Sequence, residues 1–182
     1  MRKGDLLTLD AAEGGDPISG AAPAIVPLPP RIVWAGEGMG LAEIGTAAVV
    51  LWRGELTHAK HARQIEHYAR TIAAFPGRAG IMSVLEANAP TPNEALRRES
   101  AHEFKRLSTR VTGLACVVEA TGFVGAFQRS VLSGMSLLLP KGHADITFCA
   151  NVRTGAEWLA PRCEGVAVDA LCKLVEQLRS RL

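Results

Sequence analysis

Four short apolar segments, at about 46–52, 79–85, 113–118 and 144–150, alternate with three amphipathic stretches of helical length. Continuous apolar runs of this length, bounded by turn residues and spaced by helices, predict strands buried beneath a helical layer. A further short strand is predicted at 31–35, Arg31-Ile32-Val33-Trp34-Ala35, with residues 36–40 turning the chain towards 46–52. Residues 6–9 could pair as an additional edge strand.

The polar positions mark where the helices begin and end. Thr57 can cap a first helix whose inward stripe is Ala62, Ile65, Ala69 and Ile72, and Pro76-Gly77 stops it. Thr91-Pro92-Asn93-Glu94 reads as a capping box with proline at the first helical position, followed by the stripe Leu96, Ser100, Phe104, Leu107 and Val111. A third helix is predicted over 124–138, burying Phe127, Val131, Met135 and Leu138 and closed by Pro140-Lys141-Gly142. A second box, Thr154-Gly155-Ala156-Glu157, starts a short helix that Pro161 limits, and Val168, Leu171, Val175 and Leu178 mark a terminal helix over 167–181. The fold class is therefore α/β, with order β-β-α-β-α-β-α-β-α and an extra C-terminal helix. Right-handed crossovers then give a single open mixed, mostly parallel sheet of four to five strands with covering helices.

A chain of 182 residues with 48% hydrophobic content suits one domain with a substantial core. Residues 1–30, with glycine pairs, acidic residues and Pro23, Pro27, Pro29 and Pro30, read as a flexible N-terminal arm, leaving 31–182 as the folded domain. No apolar run near the N-terminus resembles a signal segment or a membrane span, so no membrane association is expected. A net charge of +2 excludes the basic footprint of a nucleic-acid binder, because Glu94, Glu99 and Glu103 interleave with the arginines of the second helix. Cys116, Cys149, Cys163 and Cys172 form no C-x-x-C pair and read as small buried residues in a reducing, cytoplasmic compartment.

The chemistry-bearing patterns are sparse. His58 and His61 are three apart on the first helix, with His67 beyond, but no nearby third ligand completes a metal site. Gly122 and Gly125 lack the G-x-G-x-x-G spacing of a dinucleotide loop, so no cofactor is expected. Ser130, Ser133 and His143 do not form a nucleophile elbow or a triad. Open sheets gather functional groups beyond the carboxyl ends of their parallel strands. There this chain places Arg53 and Glu55, then Glu86 and Asn88, then Glu119 and Thr121, with Arg129 in the helix that follows. If adjacent strands bring Glu86 and Glu119 together, their repulsion would make an acid/base pair.

The element order, together with Phe148 at the end of the last core strand and Ala156, Trp158 and Leu159 on the helix after it, resembles the STAS domain. The similarity is to the stand-alone bacterial branch related to the sporulation anti-sigma-factor antagonist. It covers roughly residues 31–160. Where that family carries Asp-Ser-Ser-Gly, this chain has Asn88-Ala89-Pro90-Thr91-Pro92, with Thr91 at the phosphorylated position. The resemblance implies a non-catalytic regulatory module with a protein partner, controlled by phosphorylation near the second helix. Asn88, Thr91, Glu119, Thr121 and Arg129 are the candidate binding residues, and Thr91 is the candidate phosphosite. A homodimer is a further candidate assembly. The alternatives are a small-ligand or lipid carrier, with a pocket under the apolar third helix, and an enzyme using Glu86 and Glu119.

Overall fold

Two residues with left-handed backbone reverse the chain early. Glu37 (φ 52°) and Gly38 (φ 73°) join β1 (Leu28–Gly36) to β2 (Met39–Gly45), and Gly36 pairs with Met39 across the turn. Consecutive positive φ values are what a two-residue hairpin needs to match the twist of its strands. A second reversal at Gly45 (φ 55°) and Thr46 leads into β3 (Ala47–Trp52). The computed structural model describes residues 26–122, 125–126, 130 and 144–182.

Beyond β3 the sheet is parallel. β4 (Ala79–Leu85), β5 (Val111–Val118) and β6 (Asp145–Cys149) add in chain order, giving a single mixed sheet β1-β2-β3-β4-β5-β6. The α/β class and the open mixed sheet agree with the sequence. The strand count of four to five does not, because there are six. The missing strand is β2, within which residues 39 and 40 had been read as turn. It escapes an apolar-run criterion because Gly40 and Glu43 interrupt it, yet all seven of its residues are buried. β1 also begins at Leu28 rather than Arg31, and β5 begins at Val111, which the sequence placed on the preceding helix.

Two helices, α1 (His58–Ala74) and α2 (Glu94–Leu107), lie on one face of the sheet, where Tyr68, Ile72 and Leu107 pack on Leu41, Val50 and Ile81. The other face is covered by α3 (Val152–Leu159) and α4 (Val168–Arg179). α3 lies over β4, β5 and β6, and α4 lies over β1, β2 and β3. Leu159, Leu171, Leu174 and Leu178 there meet Val49, Leu51, Met82 and Val84. α3 can come close because Gly155 faces Val117, where a Cβ would lie 2.7 Å from a valine methyl. The helix expected over 124–138 falls largely outside the described residues.

The helix boundaries refine the expectations. Thr57 caps α1, its hydroxyl accepting from the Lys60 amide, but the buried stripe is His61, His67, Tyr68, Thr71 and Ile72. Ala62 is exposed. The apolar pattern misplaced the stripe because α1 turns polar side chains inward, towards Glu43 and a cavity described below. α2 is capped by Asn93, whose Oδ1 accepts from the Leu96 amide at 2.9 Å, so Thr91 is not the cap. α3 is likewise capped by Asn151, 2.9 Å from the Thr154 amide, rather than by Thr154. In both cases an asparagine, the stronger cap, stands within two or three residues of the threonine.

Replacing Asn93 by alanine is expected to lower the unfolding free energy by about 1 kcal/mol in urea denaturation. Thr91→Ala should stay within about 0.5 kcal/mol of wild type, as for an ordinary surface change.

Candidate functional site at the carboxyl ends of the parallel strands

The register of the sheet brings three charged residues to one level. Trp52 pairs with Leu85, and Leu85 with Val118, so Arg53, Glu86 and Glu119 are the next residues along three adjacent strands. The ladder continues into them, with the Glu86 amide donating to the Trp52 carbonyl at 2.8 Å and the Glu119 amide to the Leu85 carbonyl at 3.0 Å. Trp52 and Leu85 face α1 and α2. By the two-residue period of a strand, Arg53, Glu86 and Glu119 turn to the opposite face. The end of α4 waits there.

Arg179, the last residue of α4, ties the rim together. One of its Nη atoms donates to Glu119, the other to Glu176 at 2.7 Å, and its Nε lies 3.2 Å from Glu86 Oε1. Arg53 grips Glu86 with two bonds, Nε to Oε2 at 2.6 Å and Nη2 to Oε1 at 3.1 Å. It also reaches the Arg179 carbonyl, at 3.4 Å. The hydrogen bond to Glu86 raises the pKa of Arg53. Burial opposes the charge on Arg179, but Glu119, Glu176 and Glu86 outweigh it and raise its pKa. Glu86 and Glu119 do become neighbours, as the sequence suggested. The Arg179 guanidinium lies between them and contacts both.

The other candidate residues take different places. Asn88 and Thr91 are exposed in the β4–α2 loop, which opens with a turn closed by the Ala89 amide on the Glu86 carbonyl (2.9 Å). Thr121 is exposed just after Glu119 and Ala120. Arg129 lies outside the described residues, as do Ser133, His143 and most of the apolar helix on which the carrier reading rests. Arg179 was missed. It sits in the last turn of a helix, where a basic residue is ordinary, and nothing in its neighbours reveals that α4 ends at the strand termini.

His58 and His61 meet a carboxylate from another element, with their Nδ1 atoms 3.0 Å and 3.2 Å from the two oxygens of Glu99 on α2. Among the described residues no group of three or more His, Cys, Asp or Glu is arranged to hold a metal ion. The four cysteines are free, and burial pushes the Cys116 thiol up to about 12, far from a reactive thiolate. No described helix is long and apolar enough to cross a membrane.

A second charged group lies beneath α1. Glu43 is 5% exposed in the middle of β2 and accepts from Arg31 Nε (2.9 Å) and Nη2 (2.6 Å) on the edge strand. His67 is wholly buried, its Nε2 3.0 Å from the Ala42 carbonyl and its Nδ1 3.5 Å from Glu43 Oε1. A carbonyl can only accept, so Nε2 carries the proton. Burial lowers the pKa of His67, against the smaller raising effects of the Ala42 carbonyl and Glu43 and alongside the repulsion of Arg70 and Arg31.

No protein-family model, curated protein or solved structure matches this chain.

Two outcomes are expected. Arg179→Met leaves Glu119 without its partner at a largely buried rim and should cost about 2 kcal/mol, between the values for exposed and buried pairs. Adding Glu119→Gln should recover part of that loss in a double-mutant cycle. Because the folded state resists protonating His67, its contribution to stability is complete above the unfolded value of about 6.5 and is lost as pH falls through the folded pKa. Urea denaturation at stepped pH should therefore show stability declining from neutrality into the acid range, with a shallower decline in His67→Gln.

Proposed function

We propose that this chain is a non-catalytic regulatory module of the STAS-like type, acting in the cytoplasm by binding a protein partner through the β4–α2 loop. The observation that carries this reading is the Arg53–Glu86–Arg179–Glu119 cluster. It commits the strongest acids and bases at the functional end of the sheet to one another and makes that end a rigid platform. Asn88 and Thr91 stand exposed beside it, in a loop held by buried Ala89 on one side and by the Asn93 cap on the other. Polar side chains presented on a fixed loop suit recognition of another protein surface.

The position of the cap supports Thr91 as the regulated residue. Asn93, rather than Thr91, satisfies the amide of Leu96, so a phosphate on Thr91 would leave the cap intact. It would sit just ahead of the α2 N-terminus, where free amides and the helix dipole favour negative charge. Modification would change the character of the loop without unfolding it.

The test is an affinity pull-down from cells with wild type, Thr91→Ala and Thr91→Glu, each first shown to have wild-type thermal stability. A partner held by wild type and Thr91→Ala and released by Thr91→Glu is the expected result. Identical partner sets for all three proteins, or no partner at all, would refute the reading.

A further inference from the structure

On the opposite face of the sheet from the ion cluster, a partly open cavity of about 130 Å³ lies between α1, α2 and strands β4, β5 and β6. Most of its wall is apolar, with Phe104, Leu114 and Phe148 among the lining side chains. Its polar groups come mainly from one stripe of α1, His61, Gln64 and Tyr68, and are joined by Ser83 from β4 and Ser100 from α2. A mostly apolar hollow with a few converging polar groups is the usual form of a small-molecule site. This one is too small for an acyl chain. An apolar cavity of about 150 Å³ engineered into another protein takes up benzene, so the space here matches a single six-membered ring.

The polar groups specify what such a ring should carry. His61 is 2% exposed, and its Nδ1 lies 3.2 Å from Glu99 Oε1. A carboxylate only accepts, so Nδ1 carries a proton, and in the Nδ1–H tautomer the lone pair is on Nε2. Glu99 is held in turn by His58 at 3.0 Å, which fixes the carboxylate that orients His61. The Tyr68 hydroxyl accepts from Gln64 Nε2 at 2.8 Å and is also hydrogen-bonded with Ser83. The site therefore combines an acceptor, His61, with hydroxyl groups on Tyr68 and Ser83 that can give or take a hydrogen bond. We infer that this cavity binds a small monocyclic ligand bearing one hydroxyl group, a phenol or a compound of the same size and chemistry, whose O–H donates to His61.

Phenol and toluene have nearly the same shape and differ in the hydroxyl, so together they test both size and chemistry. Titrations of the full chain are followed by amide chemical shifts in NMR spectra. Phenol should bind saturably, perturb residues of α1, α2 and β4, and bind about fivefold more tightly than toluene, the gain of one hydrogen bond. His61→Phe keeps the ring and should bring the two affinities together. Ser83→Leu should fill the hollow and abolish both. Cys116, which pairs with Ser83 across β4 and β5, offers the equivalent filling variant Cys116→Leu if Ser83→Leu does not fold. Failure of both probes to saturate, unchanged binding in the filled variant that folds, or an undiminished phenol preference in His61→Phe would each overturn the assignment.

Discussion

Covering both faces of one sheet is the constraint on which the rest of this structure depends. β3, β4 and β5 are apolar on both sides, so water must be excluded above and below them. The helices α1 and α2, carried by the parallel crossovers, cover one side. Among the described residues the other side has no helix until the chain has left β6, and the last stretch of sequence returns across the whole sheet to provide one. α3 covers β4 to β6 at close range, with Gly155 against Val117 and Trp158 against Gly113, and α4 continues over β1 to β3. Arg179 reaches the rim because α4 has to end there. The charged cluster is thus a by-product of completing the core, and it also fastens the C-terminal helix to the strand ends.

The same constraint explains the buried charges under α1. β2 is an interior strand of the sheet with both faces covered, yet it carries Glu43. A carboxylate in that place is tolerable only with partners, and Arg31 on the neighbouring strand supplies two hydrogen bonds while His67 lies above it. Arg31 keeps its exposed end in water, at 58% of its side-chain surface, so the pair remains linked to solvent at the sheet edge. His67 spends its donor on the Ala42 carbonyl, which leaves Nδ1 facing an acceptor without a bond. Acid should loosen this region because burial resists a charge on the His67 ring by more than Glu43 and the Ala42 carbonyl favour it.

Much of this was legible in the sequence, and the reasons differ by element. β3, β4 and β5 announce themselves because burial on both faces demands mostly apolar residues, with Ser83 and Thr112 as the polar interruptions in β4 and β5. β2 obeys the same demand in space but hides it in sequence, since Gly40 is there to admit Leu178 and Glu43 is neutralised from elsewhere. The helices were found from their caps, while the identity of two caps was misread because threonine and asparagine stand close together and only the structure shows which oxygen meets the amide. At the site, the carboxyl ends of the predicted strands marked Arg53, Glu86 and Glu119 as rim residues, and the register of the sheet brings them together. That reading could not supply Arg179, which lies 60 residues beyond Glu119 in the chain.

The two faces of the sheet consequently differ in character. Against α3 and α4 the core is almost wholly apolar and close-packed, with glycines where side chains would collide. The face against α1 and α2 holds buried Glu43, His61, His67, Tyr68, Thr71 and Ser83, so polar groups interrupt an otherwise largely apolar layer. Buried polar groups cost stability unless paired, and pairing requires directional contacts that leave irregular space between helix and sheet. A cavity on that face is what this asymmetry produces. Stability and recognition are therefore divided between the layers: α3 and α4 close the fold, while α1 and α2 carry the polar groups that a ligand could meet.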